Sequence, residues 1–390
     1  MDSGALPISI SLPFSDERYS AEKTRNFFEG LLPEGFTRRA VAGRLHIDEH
    51  DYISLLKALG QECLGAIRVV EAGSDYANEC YQKLTVDQVK ALDAAGAAKS
   101  AELIAQSHLS LTGASGKVGL YWNKITDEWF LPGGTAPSTH IVKQSHIRYK
   151  HIVTNEQLCM RTAGKLGIDI PESFIVNTHN AMDDEVLFAT KRFDRVMDED
   201  CPVVGGLKRP HRLHQEDFAL ALGIPASEKY ERSGELYLKR AFRLLADNTA
   251  DPIADQIKLW DLIVFDYLIG NTDNHLKNIS LVYDKEMKRL ALAPAYDIIS
   301  TVIYEGTATD MSVAIGGVLD INEINESHFT ECAAQIGLGS KLAMKRFELM
   351  KNRIEEALRD TAMELAYFGF TQAAIMADKI HDTKIPFELP

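Results

Sequence analysis

The sequence predicts an α+β fold of two lobes, β-rich first and mainly helical after, with a small extra module in front. Three observations carry this. Between about residues 109 and 193 the chain breaks into short β-branched and aromatic runs divided by Gly and Pro. From about Gln215 onward apolar residues recur at the 3.6-residue spacing of helices. At 390 residues the chain is too long for one compact core. The expected boundaries are 1–100 for the first module, 105–195 for the β-rich lobe and 196–390 for the helical lobe.

In the first module, EKTRNFFEGLL (22–32) places Phe27, Phe28, Leu31 and Leu32 on one helical stripe. DYISLLKALG (51–60) repeats the pattern and stops at Gly60, and AIRVVEA (66–72) reads as a strand. Thr85 and Gln88 form a capping box for a helix in TVDQVKALDAAG. LSLTGASGKVGLYW (109–122), EWFLPG (128–133) and THIVKQ (139–144) predict an antiparallel meander. TNEQLCMRTAGKLG (154–167) predicts a helix with a Thr154–Gln157 capping box and Gly167 at its end. FIVN (174–177) and EVLFATKRF (185–193) return to strand character. Helices then follow in QEDFALAL, ELYLKRAFRLLADN, PIADQIKLWDLIVFDYLIG and residues 342–368, with one β interruption, a hairpin over 278–294.

The formal net charge is −14, with 56 acidic residues against 42 basic ones, so the chain as a whole repels a nucleic-acid backbone. Five scattered cysteines with no CxxC pair argue against a disulfide framework or zinc knuckle and fit a reducing cytosol. No apolar stretch has the length of a membrane span, and the N-terminus lacks a signal-peptide pattern. A cytoplasmic protein with no membrane partner is expected.

The chemistry gathers after the long helix ending at Ile269. In GNTDNHLKN (270–278), Asp273 and Asn278 have the D-x-x-x-x-N spacing of a kinase catalytic loop, the Asp for the hydroxyl proton and the Asn for Mg²⁺. Alone the spacing is weak, since a polar turn after a helix gives it by chance. The 278–294 hairpin, turning near Asp284–Met287, brings Asp297 back opposite Asn278, and a second hard oxygen ligand is what a Mg²⁺·ATP site needs. Upstream, Gly113, Gly116 and Gly119 lie between strand-like runs, where small residues let backbone N–H groups approach phosphates. Lys143 ends a strand as a phosphate-pairing lysine does, and Glu156 on the next helix is a candidate ion-pair partner for it.

With these residues in view, the sequence resembles the HipA family of toxin–antitoxin kinases. The similarity is carried by NFFEGLLPE, LLKALGQECLGAI, LSLTGASGK, THIVK, NEQLCMRTAGKLGI, KRFDR, RLHQEDFALALGIP, IGNTDNHLKNISL and LAPAYDIIS. The resemblance implies a two-lobed protein-kinase-like fold with ATP and Mg²⁺ as cofactors. It implies Asp273 as the catalytic aspartate, Asn278 and Asp297 as metal ligands, and Lys143 as the phosphate-pairing lysine. Thr112, Gly113, Ala114, Ser115, Gly116 and Lys117 would form the phosphate loop. Lys191, Arg192 and Phe193 would line the adenine edge with Asp194 near the ribose. His275, Lys277 and Asn278, with Tyr296, would complete the pocket. Ser110 matches a self-phosphorylated serine, with Ser115 as the alternative. A serine of an aminoacyl-tRNA synthetase is the implied substrate. A HipB-like helix-turn-helix antitoxin is the implied partner, carrying the chain to DNA indirectly. The N-terminus begins where the family's first hairpin would have ended, so an abbreviated first module is expected.

Two rivals stand beside this reading: a small-molecule phosphotransferase of kinase-like fold, and an inactive kinase-like binding module. The basic runs 140–151 and 206–214 read equally as phosphate-facing or as solvated loops, and the acidic turns Asp183–Glu185 and Asp198–Asp200 as solvated rather than metal-binding.

Overall fold

A computed structural model describes residues 6–61, 63–73, 79–94, 116–144, 149–177 and 186–384. The chain divides into two compact units: Met1–Val153, Glu172–Glu216 and Val282–Lys288 form the first, and Thr154–Pro171, Asp217–Leu281 and Arg289–Pro390 the second. The architecture is the expected mixed α+β one, a β-rich N-terminal sheet and a helical C-terminal part. Among the described residues no helix is long and apolar enough to cross a membrane.

The first unit opens with three helices, α1 (Ala21–Gly30), α2 (Gly35–Leu45) and α3 (Tyr52–Leu59). Ser20 and Asp51 cap α1 and α3 by accepting from Lys23 N and Ser54 N, each at 3.1 Å. The stripe residues Phe27, Leu31 and Leu32 are buried as their spacing requires. The strand expected at 66–72 does not form. Val69 N donates to Gly60 O at 2.8 Å and Ile67 O accepts from Cys63 N, so the segment folds back on the end of α3 instead of joining a ladder. Gly60 permits this close approach, since a Cβ there would lie 2.6 Å from Val69 O.

The main sheet is six-stranded and antiparallel. Its strands are β1 (Cys80–Lys83), β2 (Lys117–Asn123), β3 (Glu128–Gly133), β4 (His140–Gln144), β5 (Ser173–Asn177) and β6 (Val186–Lys191), in the order β1-β3-β2-β4-β6-β5. Helix α4 (Val86–Ala94) covers one face. Leu84, Val89 and Leu92 pack on Val118, Leu120, Trp129, Leu131, Val142, Leu187 and Ala189. The expected capping box is present: Thr85 N donates to Gln88 Oε1 at 2.8 Å and Gln88 N to Thr85 Oγ1 at 3.2 Å. Period-two alternation then turns Lys117 and Gly119 to the opposite face, with Lys143 and Phe188 as register neighbours.

Helix α5 (Ile152–Lys165) begins two residues before the predicted start, where His151 adopts a positive φ of 57°. The predicted Thr154–Gln157 box is therefore absent. Thr154 lies inside the first turn, and its buried hydroxyl has no hydrogen-bond partner among the described residues. The C-terminus ends as expected at Gly167 (φ 90°), with Ile168 N returning to Ala163 O at 3.0 Å.

The second unit is mainly helical. Helices α6 (Phe218–Leu222), α7 (Tyr237–Asn248) and α8 (Pro252–Ile269) precede α9 (Glu326–Gln335), α10 (Ser340–Tyr367) and α11 (Gln372–Lys384). Its core centres on Trp260, Tyr267, Phe329 and Phe347, with ring centroids 4.7–5.9 Å apart along the chain of contacts. Both polar ring atoms are satisfied, Trp260 Nε1 by Ala343 O at 3.0 Å and the Tyr267 hydroxyl by Ile324 O at 2.8 Å. Between Ser280 and Leu292 the expected hairpin forms from Ser280–Tyr283 and Leu290–Leu292, its turn closed by Met287 N on Asp284 O. A second hairpin, Asp310–Ile315 paired with Val318–Asp320, was not expected from the sequence.

Candidate active site

The catalytic-loop candidates lie in the second unit and are held mostly by backbone and amide hydrogen bonds. Helix α8 stops at Gly270 (φ 70°), whose N–H returns to Tyr267 O. The loop then winds around Asp266, a fully buried carboxyl on the last turn of α8. Asn271 Nδ2 donates to its Oδ1 at 2.8 Å and Asn274 Nδ2 to its Oδ2. Burial pushes the Asp266 carboxyl up to about 7, against the pull of the two amides. From the other side Thr301 Oγ1 donates to Gly270 O at 2.8 Å and accepts from Thr272 N at 2.8 Å.

This frame presents Asp273. Its N–H donates to Asn271 Oδ1 at 3.1 Å, and its carbonyl accepts from His275 N at 2.9 Å and from Asn278 Nδ2 at 3.0 Å. With its amide nitrogen committed to the loop, Asn278 has its oxygen as the end that remains for a hard cation. Lys277 and Asp217 form a buried ion pair at 2.8 Å, and Asp217 Oδ1 also caps α6 through Leu220 N. Lys277 thus anchors the loop to α6. The Tyr296 hydroxyl hydrogen-bonds Ser280 Oγ at 2.7 Å and donates to Lys277 O at 3.1 Å, which fixes the residue before Asp297 at the base of the hairpin. Asp297 itself has φ 60°, a conformation that L side chains adopt at a cost of about 1–2 kcal/mol. Beyond it, Asn155 Nδ2 donates to Ser300 O at 2.8 Å and Ser300 N to Asn155 Oδ1 at 3.1 Å.

The nucleotide-side candidates lie in the first unit. Ser110, Thr112, Gly113, Ala114 and Ser115 fall outside the described residues, while Gly116 leads into β2 and Lys117 begins it. Lys117 and Lys143 are register partners on one sheet face, and Lys143 Nζ stands 5.5 Å from the Phe188 ring centroid. Lys143 is 9% exposed; Glu156, on α5 in the second unit, is also buried. Lys191 N donates to Glu172 O and Arg192 N to Thr139 O, after which the chain turns at Phe193 and Asp194.

Asp194 is committed differently from the other candidates. Arg192 reaches its carboxylate twice, at 2.9 and 2.7 Å, and Arg195 Nη1 lies at 2.8 Å. Gln215 Nε2 and Gly65 N add bonds at 3.0 and 3.2 Å. Burial would raise this carboxyl, but Arg192 and Arg195 hold it well below the usual carboxylate range. In this position Asp194 serves as the knot that ties Gly65, β6 and Gln215 together. Asp198 gathers Cys201 and His211, as a metal site would, yet the ammonium of Lys285 is paired with its carboxylate. Asp183–Glu185 lie outside the described residues.

Sequence reasoning missed Tyr230, whose hydroxyl donates to Asp273 Oδ1 at 2.5 Å. It also missed the Asp266–Asn271–Asn274 frame. The two amides flanking Asp273 were the available signal for that frame; nothing local pointed to Tyr230.

Comparison with known proteins identifies the family. The family model for the HipA N-terminal domain matches residues 1–70, and that for the HipA-like C-terminal domain matches residues 109–363. A protein described as a kinase, Y4mE of Sinorhizobium fredii, is 33% identical over 373 residues, covering 92% of this chain and 83% of that one. The serine/threonine-protein kinase toxin HipA of Shewanella oneidensis is 26% identical over 386 residues, covering 95% of this chain and 84% of that one. A solved structure of Shewanella oneidensis HipA with HipB and its operator DNA superposes with a TM-score of 0.77 at 24% identity, covering 98% of this chain and 92% of that chain. Since one matched domain alone accounts for most of its length, the chain belongs to the HipA family of kinases.

Proposed function

We propose that this chain is an ATP- and Mg²⁺-dependent serine/threonine protein kinase, the toxin of a toxin–antitoxin pair. The carrying observation is the Asp273 loop, fixed from below by Asp266 and closed by Asn278, with Asp297 following the anchored Tyr296. In the transfer, the acceptor hydroxyl oxygen bonds to the γ-phosphorus while the bond from that phosphorus to the β,γ-bridging oxygen breaks. ADP leaves, and the hydroxyl proton passes to the Asp273 carboxylate. Asn278 and Asp297 offer hard oxygens of the kind magnesium takes, so the donor set fits that ion. Bound there, it would neutralise charge on the phosphates. The strained backbone at Asp297 is consistent with a side chain placed for a ligand.

Lys117 and Lys143 are register partners on one sheet face, a placement that suits the phosphates of a nucleotide. Glu156 is the proposed ion-pair partner of Lys143. By family resemblance, the proposed nucleotide contacts are Thr112 to Lys117 for the phosphates and Lys191 to Phe193 for the adenine, with His275 and Tyr296 as further candidates. The proposed acceptor is a serine of an aminoacyl-tRNA synthetase, by family resemblance. The proposed partner is a HipB-like antitoxin, supported by the HipB-bound relative and by the −14 charge, which suits a basic DNA-binding protein. The cytoplasm is the proposed place of action.

Asp297→Asn is expected to lower transfer from γ-labelled ATP by ~10²- to 10³-fold, judged by losses when a single electrostatic stabiliser is removed. Magnesium-dependent ATP affinity, read by calorimetry, should fall with it. Wild-type transfer by this variant would end the metal assignment. Self-phosphorylation on Ser110 is expected after expression in an ATP-rich cell. Mass spectrometry of the Leu109–Lys117 peptide reads it, and phosphate on Ser115 alone would move the site.

A further inference from the structure

Tyr230 and Asp273 are 43 residues apart in the chain, yet the phenol donates to the carboxylate at 2.5 Å. Ser312, on the hairpin strand Asp310–Ile315, brings them together. Its carbonyl accepts from Glu231 N at 2.9 Å, and its hydroxyl donates to Thr272 O at 2.6 Å. One residue thus clamps the immediate neighbours of both partners. Glu231 is secured again by its own buried carboxylate, which accepts from Ala314 N at 2.8 Å. Upstream, Glu228 O accepts from the Tyr237 hydroxyl at 2.7 Å. The Tyr230 ring meets the His275 ring edge-on, with centroids 5.0 Å apart and an 84° interplanar angle. With its backbone bolted down, 46% of the residue remains exposed, so the ring stands at the open side of the loop.

We propose that Tyr230 is a positioning residue for phosphoryl transfer, its phenol fixing the rotation of the Asp273 carboxylate toward the acceptor hydroxyl. The proposal rests on the reading of Asp273 as the group that takes the acceptor's proton. The terminal torsion of an aspartate is broad, so a carboxylate on a loop turns unless something holds it. A hydroxyl bound to an ionised oxygen makes a strong hydrogen bond and brings no charge of its own. A lysine in this place would pair with Asp273 and weaken it as an acceptor.

The test uses full-length Tyr230→Phe, with γ-labelled ATP as donor and dephosphorylated casein and the chain itself as acceptors. The ring and its contact with His275 stay, so only the hydroxyl is removed. Turnover should fall ~10- to 100-fold, the range for a misplaced catalytic group. The KM for ATP should stay within about twofold, and the thermal midpoint should not move. Wild-type turnover in the Phe variant overturns the proposal. Faster turnover also overturns it, because the phenol would then be blocking the acceptor's place. A KM for ATP that rises in step with the fall in turnover assigns Tyr230 to the pocket wall and overturns it as well. A wild-type chain that transfers no phosphate, or an Asp273→Asn variant as fast as wild type, overturns the catalytic reading together with the proposal.

Discussion

Asp273→Asn is expected to lower phosphoryl transfer sharply while leaving the fold and ATP binding in place. A positioned acid or base contributes ~10²- to 10⁴-fold, equivalent to about 3–5 kcal/mol of barrier, so residual transfer should fall to that fraction of wild type. The fold is spared for a local reason. The hydrogen bonds that Asp273 makes to Asn271, His275 and Asn278 all use its backbone N–H or C=O, which the substitution keeps. Asn has the same shape and still offers an oxygen to Tyr230. Thermal unfolding should therefore coincide with wild type, and calorimetric ATP binding should persist. Transfer of γ-labelled phosphate at the wild-type rate would remove Asp273 from the chemistry. A lowered thermal midpoint would instead show that the carboxylate supports the loop.

How much of this was legible in the sequence depended on the distance between the groups concerned. The Thr85–Gln88 box spans three residues and formed as read. The helix ending at Ile269, the 278–294 hairpin and the meander strands were also set by local pattern and turn chemistry. Where a local signal competed with tertiary structure, tertiary structure won. Thr154 had the right neighbours for a cap, but the positive φ at His151 started the helix earlier. Residues 66–72 had strand composition, but their backbone groups turned to the end of α3. In the candidate site, loop spacing pointed to Asp273 and Asn278, and the folded loop joins them through Asn278 Nδ2 and Asp273 O; Asp297 was read from the return of the hairpin. Tyr230 could not be read this way, because its approach to Asp273 depends on Ser312, on a hairpin that the sequence reading did not see. Asp194 was placed near a ribose by family resemblance alone, and the folded chain shows two arginines closing on its carboxylate.

The largest loss of stability is expected from Asp194→Ala. Asp194 is 1% exposed, Arg192 2% and Arg195 6%, so removing the carboxylate takes the counter-charge from two buried guanidiniums. Breaking a buried pair from one side costs about 3–5 kcal/mol, most of it the penalty of the charge left behind. Gly65 N and Gln215 Nε2 lose an acceptor at the same time, which adds to the loss. Denaturant unfolding should show the transition of the first unit moving to lower concentration. Asp194→Asn should cost less, because it keeps an acceptor oxygen for Gly65 and Gln215. The pH dependence has a definite sign. The folded-state carboxyl is held below its usual value, so its contribution is complete above the unfolded value of about 4 and is lost as pH falls through the folded one. The gap between wild type and Asp194→Ala should therefore be constant near neutrality and narrow below about pH 4. An alanine variant as stable as wild type at pH 7 would mean that the arginines find other partners and that the cluster is not the knot described.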